Sequence, residues 1–581
     1  MPRVPWRLTD DRAALTETDK VTDTQVPGGG RTIQRRIAAR IRSWFRYGLP
    51  GAWVALIFLC LSLTPSLLPR PPPFQGAVSG LSAVVGYGIG VAAAWLWREL
   101  ADREPRQPAP WAWRLYWIVA VPALLIAVVL SERWQQEMRR LVDVPAPSLA
   151  SYFLIPLVAV VIFIVAVAVG RAIHWLYLWL AAGLVRLMGA RAARVTALIL
   201  LTTSTALLFS GVIKDALVAS ADRSFALLDS RTTGGAEQPT SALRSGGPAS
   251  LVSWESLGRQ GRIFTGTGPT ASEIAAFTDG PAIEPVRAYI GHASSDDPEI
   301  RAELAVAELD RTGAFDRSYL LVVTTTGTGI VEPSSVDTFE YLTAGDSAIV
   351  GTQYSHLPSW LSYLVDQEAA REAGRDLFDA VYGRWARLPA DDRPELLVYG
   401  ESLGSFGGEN AFSGERDLAN RTSGALFVGP PSFNPLYRGF VEDRDAGSPE
   451  VEPVYSEGRT IRFSGRPRNG IPPAGSPWRG TRVLYMQHAS DPITWWSPGL
   501  LLNEPDWLAE PRGRDVLDEM VWIPFVTFWQ VSADLALSFS TPPGHGHVYT
   551  GEHVDGWAAV LRPPEWSESK AAQLRQIILA E

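Results

Sequence analysis

The sequence predicts an α/β fold with a mostly parallel, doubly wound sheet, preceded by an α-helical transmembrane bundle of about five spans. Two observations lead to this prediction. In the second half of the chain, short apolar runs typical of buried strands alternate with stretches of helical periodicity. In the first half, successive apolar segments each approach the ~20 residues that a helix needs to cross a bilayer.

The composition divides the 581 residues into four parts. Residues 1–47 form a basic, disordered cytoplasmic tail, residues 48–220 the transmembrane domain, and residues 221–270 a linker. Residues 271–581 form the α/β domain, with cap or lid segments near 440–480 and 520–540. The five apolar segments are 51–68, 76–97, 111–130, 150–170 and 195–212.

Arginine predicts the orientation of these segments, because positive charge is retained on the cytoplasmic side. Residues 31–46 and the loops after the second and fourth segments are rich in arginine, and the alternate loops are poorer. We therefore expect a multi-pass protein of the cell (plasma) membrane, with the lipid bilayer as its partner. Its N-terminus is cytoplasmic and its α/β domain extracytoplasmic.

Several function classes are disfavoured by composition. The formal net charge is −9, and Lys20, Lys214 and Lys570 are the only lysines, so nothing predicts nucleic-acid binding. The single cysteine, Cys60, lies in the first apolar segment and cannot form an intramolecular disulfide. The sequence has no Cys/His spacing typical of a metal site and no phosphate-binding loop, so neither a metal nor a cofactor is predicted.

Six apolar runs predict the strands of the α/β domain: 285–291, 319–323, 347–350, 395–399, 424–428 and 482–486. Helical patterns over 298–311 and 361–388 lie between them. Alternating strands and helices are typical of parallel sheets, whose sites lie at the carboxyl ends of the strands.

The most informative motif is Gly-Glu-Ser-Leu-Gly at residues 400–404, which directly follows a predicted strand. A serine on so tight a strand–turn–helix has strained backbone dihedrals, and the flanking glycines remove the side chains that would collide there. Ser402 is therefore the candidate nucleophile. An ordinary turn serine remains the alternative.

A candidate acid and base follow in the chain. Asp491 lies after the last predicted strand, and His545 and His547 lie in a late turn-rich loop. Serine, acid, histidine is the order of an α/β-hydrolase triad. The Gly-His-Gly context favours His545, with His547 as the alternative. Asp534, Asp555 and Glu504 remain rival acids.

A Gly-rich loop after the strand 319–323 is a candidate oxyanion hole. Its residues Thr326, Gly327 and Thr328 could provide one backbone donor, and the amide of Leu403 the other. The His-Gly-Gly-Gly sequence usual at this place is absent.

These apolar spans, followed by Thr-Gly-Thr-Gly, Gly-Glu-Ser-Leu-Gly-Ser and Pro-Pro-Gly-His-Gly-His, resemble a family of bacterial membrane-anchored α/β-hydrolases over most of the chain. The resemblance implies a serine hydrolase fold with Ser402, Asp491 and the Gly-His-Gly-His loop in the triad positions. It does not specify the substrate.

The sequence thus predicts a serine hydrolase, an esterase, lipase or acyltransferase, that acts on an apolar acyl ester of a lipid or of the cell envelope. Trp495 and Trp522 favour an apolar substrate. The alternative is a non-catalytic membrane scaffold or channel-like protein that retains a hydrolase fold. The spans contain few ionisable residues, which disfavours a channel.

Overall fold

The structure is a computed structural model that describes residues 47–104, 107–211, 220, 222–226, 228–230, 235–358, 361–362, 367–466, 471 and 477–580. The disordered tail predicted for residues 1–47 therefore lies almost entirely outside the described residues. The same holds for residue 212 at the end of the fifth apolar segment.

Five helices form the N-terminal region: α1 (Leu49–Leu61), α2 (Pro72–Leu100), α3 (Pro110–Leu141), α4 (Leu154–Leu184) and α5 (Ala190–Ser210). Three stretches are long and apolar enough to cross a membrane: α2, α3, and α4 together with the short 3-10 turn that precedes it. Most large apolar side chains of α3 and α4 are exposed, as expected for helices that face lipid.

The predicted count of five spans is not confirmed, and the first and last segments differ from the prediction. Helix α1 has 13 residues and is about 20 Å long, which is shorter than the ~30 Å hydrocarbon layer. It ends at Leu61 because Pro65 and Pro69 follow, and these prolines prevent a continuous helix. The first five residues of helix α5 include the charged Arg191 and Arg194, and α5 is not among the three long apolar stretches.

Seven parallel strands form one sheet in the order β1-β3-β2-β4-β5-β7-β6. They are β1 (Val286–Ile290), β2 (Tyr319–Thr324), β3 (Ser347–Thr352), β4 (Glu395–Glu401), β5 (Gly424–Val428), β6 (Ile461–Ser464) and β7 (Arg482–Met486). The predicted α/β fold with a parallel sheet is confirmed. Six strands match the predicted apolar runs, and the edge strand β6 lies inside the segment predicted as a cap or lid.

The helices that accompany the sheet, with the short ones at its edge, are α6 (Gly258–Gly266), α7 (Ala271–Thr278), α8 (Pro298–Thr312), α9 (Pro333–Leu342), α10 (Gln367–Trp385), α11 (Leu403–Glu409), α12 (Glu415–Arg421), α13 (Pro435–Glu442), α14 (Pro492–Trp495), α15 (Asp506–Ala509), α16 (Val526–Leu535), α17 (His553–Leu561) and α18 (Glu568–Ala580). Every residue of β1, β3, β5 and β6 is buried, so both faces of the sheet are covered. Helices α8, α10 and α11 pack together, as do α9, α17 and α18.

The strand register aligns the ends of the central strands. Thr324 of β2 is opposite Gly400 of β4, Glu401 is opposite Val428 of β5, and Val428 is opposite Met486 of β7. The residues that follow these strands therefore lie side by side at one edge of the sheet, where parallel sheets place their sites.

Residues 62–71, here called the docking loop, connect α1 to α2 and pack against the α/β domain. Leu67 and Leu68 are each 1% exposed and belong to a cluster of buried apolar residues of that domain. This cluster comprises Val451, Trp495, Leu500, Trp507, Leu508, Val516, Met520, Val531 and Leu537.

Polar contacts fix the same junction. The Asp534 carboxylate of α16 accepts hydrogen bonds from the hydroxyl of Ser66 and from the amide of Leu67, at 3.1 Å for the latter. The side-chain amide of Gln530 donates to the carbonyl of Thr64 at 3.0 Å. The segment predicted as a lid over the site therefore also attaches the α/β domain to the N-terminal helices.

Candidate active site

Ser402 lies on a sharp turn between β4 and α11. Its backbone has φ 54° and ψ −126°, a strained conformation for a residue with a side chain. Its amide donates to the carbonyl of Val428 at 2.8 Å, which fixes the turn beside β5. A Cβ on Gly404 would collide with the carbonyl of Thr324, and one on Gly400 would lie 2.7 Å from the amide of Ser405. Both glycines of the pentapeptide are therefore required by close packing of the turn.

Asp491 follows β7 and contacts the imidazole of His547. Its Oδ1 accepts from the amide of Ile493 at 2.9 Å, at the start of α14. Its Oδ2 lies 2.6 Å from Nδ1 of His547 and accepts from the hydroxyl of Tyr549 at 2.9 Å. The side chains of Asp491 and His547 are fully buried. This hydrogen bond selects the tautomer in which Nε2 of His547 is free to accept a proton.

The structure places the other candidate histidine elsewhere. Nδ1 of His545 lies 3.2 Å from Asp515, not from Asp491, and the sequence preference for His545 as the base therefore differs from the observed pairing. The physical reason is a tight turn at Gly546, where φ is 56°, so that His545 and His547 extend from it toward different acids.

The rival acids are also engaged elsewhere or exposed. Asp534 contacts the docking loop. Asp555 forms an ion pair with Arg575 at 2.7 Å. Glu504 is exposed on the surface. None of the three is paired with a histidine in the described part of the chain.

Gly429 lies between two parts of the site. One is the pair of Asp491 and His547, here called the dyad, and the other is the turn that carries Ser402, here called the serine turn. Gly429 directly follows Val428, whose carbonyl binds the Ser402 amide. A Cβ on Gly429 would collide with the imidazole ring of His547 and would lie 3.1 Å from Oδ2 of Asp491. Nε2 of His547 is buried and has no hydrogen-bond partner among the described residues. Catalytic hydrogen bonds are often incomplete in unliganded enzymes and tighten when substrate binds.

The electrostatics of His547 favour its protonated form. Burial lowers the pKa of the His547 imidazole, but the charge of Asp491 and its hydrogen bond outweigh burial, with a further contribution from Glu401. The net result is a raised pKa. The surroundings thus stabilise the imidazolium form of His547.

The Gly-rich loop after β2 forms a turn beside the serine. The amide of Gly329 donates to the carbonyl of Thr326 at 2.8 Å, and the hydroxyl of Tyr289 donates to the carbonyl of Gly329 at 2.7 Å. The amide of Thr326 is already bound to the carbonyl of Ile330 at 3.3 Å. The amides of Gly327 and Thr328 are therefore the donors that this loop has available.

Leu403 occupies the other predicted donor position. It is the first residue of α11, so its amide has no acceptor within the helix. Close packing of Gly404 against the carbonyls of Thr324 and Thr325 places the serine turn against the start of the Gly-rich loop.

The structure shows a further acid–histidine pair, Glu401 and His553, that was not predicted from the sequence. Glu401, which precedes the serine, lies 3.0 Å from Nε2 of His553 and accepts from the hydroxyl of Tyr399 at 2.5 Å. Nδ1 of His553 lies 3.0 Å from the hydroxyl of Ser334. The position of Glu401 inside the pentapeptide was the available sequence signal.

Neutralising Glu401 is expected to change the pH dependence of the reaction. Its carboxylate raises the pKa of His547, so Glu401→Gln should lower that pKa. The base must be neutral, so the acidic limb of kcat/KM against pH should move to lower pH. The measurement is a pH profile of ester hydrolysis. Glu565→Gln, which changes an exposed acid, is the control and should leave the limb in place.

A substitution at Gly429 tests the fit between the turn and the imidazole. In Gly429→Ala the methyl group collides with the His547 ring, and we expect a loss of about 10²-fold in kcat, since a displacement of ~1 Å can have that effect. Gly447→Ala is the matched control, because Gly447 also has a positive φ but has nothing within 4 Å. Equal activity of the two variants would contradict the proposed contact.

A cleft of about 520 Å3 lies next to the acid. Its wall includes Phe433, Trp495, Trp496 and Trp507, together with Thr494, whose hydroxyl lies 3.4 Å from Oδ2 of Asp491. Phe539 packs edge-on against the His547 ring at 5.1 Å and is 67% exposed. The surroundings of the dyad are thus aromatic and partly open.

Trp522, the other tryptophan singled out in the sequence, lies in the cluster that packs on the docking loop. Its indole N–H donates to the carbonyl of Leu500 at 2.9 Å. No group of three or more His, Cys, Asp or Glu residues that could hold a metal ion occurs among the described residues.

Comparison with known families gives two matches that together cover most of the chain. A family model described as an alpha/beta-hydrolase family matches residues 286–574. A second model, described as the N-terminus of an alpha/beta-hydrolase family, matches residues 63–269. No curated protein and no solved structure matches the chain.

Proposed function

Because the chain belongs to this alpha/beta-hydrolase family in both its N-terminal region and its α/β domain, we propose that it is a membrane-anchored serine hydrolase that cleaves or transfers the acyl group of an apolar ester. The main support is the buried 2.6 Å contact between His547 and Asp491. This contact lies against Gly429, which directly follows β5, the strand beside Ser402. A buried dyad at that place is what a serine nucleophile requires.

In the proposed reaction, Oγ of Ser402 attacks the acyl carbonyl carbon and its proton moves to Nε2 of His547. Asp491 stabilises the imidazolium that results. The tetrahedral intermediate collapses, the bond to the leaving alkoxide breaks, and His547 gives the alkoxide its proton. Water or an acceptor hydroxyl then loses a proton to His547 and attacks the acyl carbon. The bond between that carbon and Oγ of Ser402 breaks, and His547 returns the proton to Oγ, which restores the enzyme. Hydrolysis and acyl transfer share this acyl-enzyme.

The negative oxygen of the intermediate needs two donors. The amide of Leu403 and an amide from Gly327 or Thr328 are the proposed pair, because the amide of Thr326 is already bound to Ile330. The role of Thr326 in the predicted oxyanion hole is then to shape the turn.

The proposed substrate is an apolar ester of a lipid or of the cell envelope. Phe539, largely exposed and in contact with the His547 ring, supports this, as does the aromatic cleft beside Asp491. An exposed apolar ring at a reacting group is best covered by an apolar part of the substrate.

The contact between the docking loop and α16 supports an even number of crossings, four, between that loop and the α/β domain. It supports a position of the α/β domain on the side of the membrane where α1 ends and α2 begins. The chain crosses in α2, α3 and α4, and must cross a fourth time to return to that side. Helix α5, with 21 residues and a length of about 31 Å, is the proposed fourth crossing. The docking loop contains one arginine, Arg70, and the loops on the opposite side are richer in arginine, so arginine retention makes the side of the docking loop extracytoplasmic.

A fluorophosphonate probe tests the proposal, because it forms a covalent bond with an activated serine. We expect labelling of the full-length protein and none of Ser402→Ala. Ser405→Ala is the matched control, since Ser405 lies in the same motif but donates to the carbonyl of Ser402. No labelling of the wild-type protein, or undiminished labelling of Ser402→Ala, would refute a serine hydrolase.

The same probe with a charged, membrane-impermeant tag tests the orientation. It should label intact cells, because the α/β domain is proposed to lie outside. Labelling only after the cells are opened would place Ser402 on the cytoplasmic side.

The rival function is a non-catalytic membrane scaffold. It predicts that Ser402→Ala leaves every cellular property of the protein unchanged. A buried, unpartnered Nε2 on His547 beside the serine turn favours the enzyme, because a scaffold has no use for an unsatisfied buried nitrogen.

A further inference from the structure

A second site lies between the N-terminal helices and the docking loop. A cavity of about 60 Å3 opens there, and its polar lining is Arg70, Gln75, Ser131, Glu132, Gln135, Arg139 and Tyr152. These side chains come from the docking loop, α2, α3 and the 3-10 turn before α4. The cavity is separate from the dyad and its cleft, with which it shares no lining residue.

Two buried guanidinium groups in this lining have nitrogen atoms without acceptors. Arg139 is 7% exposed, and the described residues offer it no carboxylate within 4 Å. Arg70 is 2% exposed, and its Nη2 donates to the carbonyl of Thr64 at 3.1 Å. The Nη1 atoms of both residues are buried and have no hydrogen-bond partner in the described ranges.

Among the described residues, Arg70 has a carboxylate within ion-pair distance and Arg139 has none. Asp534 lies 3.9 Å from Nε of Arg70, but its Oδ2 is bound to Ser66 and Leu67 of the docking loop. Oε1 of Glu132 accepts from the hydroxyl of Tyr152 at 3.1 Å. Arg139 is thus a buried cation with no carboxylate within 4 Å in the described part of the chain, which is costly, so the cavity has the chemistry of an anion site beside Arg139.

The depth of the cavity indicates which anion. The apolar residues 111–130 of α3 span about 30 Å, the thickness of the hydrocarbon layer, so Ser131 and the turns after it lie at the level of the lipid headgroups. Val128, one turn earlier, also lines the cavity and is 49% exposed on the surface that faces lipid. The cavity is therefore adjacent to the acyl chains on one side and to the headgroup layer on the other.

We propose that this cavity binds the phosphate group of an anionic membrane lipid, with Arg139 and Arg70 as the donors. Planar guanidinium groups bind phosphate oxygens in a bidentate manner. The volume holds roughly four water-sized groups, at about 15 Å3 each, which suits a phosphate but not a whole lipid. The acyl chains lie outside, along the exposed apolar surfaces of α3 and α4. This inference is independent of the proposed hydrolase activity.

Native mass spectrometry of the full-length protein in a neutral detergent tests the site. After delipidation, the protein is titrated with dioleoylphosphatidylglycerol. We expect one bound lipid molecule per protein to be retained more tightly than the additional lipid molecules. Arg139→Gln should weaken this binding about 10-fold or more. Arg140→Gln is the matched control, because Arg140 is the neighbouring exposed arginine of α3 and does not line the cavity. It should bind the lipid as the wild-type protein does.

Three results would overturn the proposal. They are unchanged binding in Arg139→Gln, equal weakening in Arg140→Gln, and equal binding of dioleoylglycerol, which lacks phosphate. Displacement of the lipid by millimolar inorganic phosphate would assign the cavity to a soluble anion instead. If Arg139→Gln does not fold, Arg139→Lys replaces it, with about 3-fold weaker binding expected from the loss of bidentate geometry.

Discussion

Replacing His547 with alanine is expected to lower kcat by about 10⁶-fold, since the loss of a triad base alone costs about as much as the loss of the whole triad. The reason is the buried 2.6 Å contact with Asp491, which gives this imidazole its tautomer, together with its position against Gly429 beside the serine turn. The measurement is the steady-state hydrolysis of a short-chain nitrophenyl ester. His547→Ala should fold, because the change removes a ring and adds no charge.

His545→Ala is the matched control, because it removes the same ring two residues earlier in the same loop. We expect its kcat to stay within about 10-fold of the wild type, since His545 is paired with Asp515, not with Asp491. The double change of Ser402 and His547 should be no worse than His547→Ala alone, because triad residues act as a unit. A larger loss in His545→Ala than in His547→Ala would reverse the assignment of the base.

The second large effect is expected from Asp491→Asn, with a loss of about 10⁴-fold in kcat. Asparagine has nearly the same shape, but its amide donates where the carboxylate accepts. His547 then adopts the other tautomer and no longer has a free Nε2. The Asp491 carboxylate also raises the pKa of His547, so the imidazolium loses its counter-charge in the variant.

Asp515→Asn provides the control for this prediction, because Asp515 is the corresponding acid of the neighbouring pair with His545. Its activity should remain within about 10-fold of the wild type. Circular dichroism and thermal unfolding establish that both variants are folded. Comparable losses in the two variants would mean that the effect comes from damage to the loop and not from the dyad.

The sheet could be predicted from sequence because its strands are buried at every position and therefore appear as short continuous apolar runs. Strand β6 was missed since it is only four residues long and carries the charged Arg462 inside a Pro/Gly-rich segment. The serine turn was predictable for a different reason. Its two glycines are needed by local packing, which leaves a local sequence signal.

The identity of the base could not be predicted in the same way. His545 and His547 share one loop, and their partners Asp515 and Asp491 are 30 and 56 residues away in the sequence. A turn at Gly546 directs them to different acids, and no local pattern encodes which acid each one meets. The short length of α1 was missed for a related reason: Leu67 and Leu68 are apolar because the α/β domain covers them, not because lipid does.

The junction at the docking loop has a consequence for the order of events during synthesis. Ser66 and Asp534 are 468 residues apart, so at about 5 to 20 residues per second the ribosome makes the loop roughly 20 to 90 s before its partner. The loop is thus already inserted with its helices while the domain that will cover it is still being translated. The last part of the domain to be translated, which includes His547, therefore assembles after the docking loop is already at the membrane. A nascent chain that fails to insert therefore lacks the surface against which Asp534 and the apolar cluster around it pack.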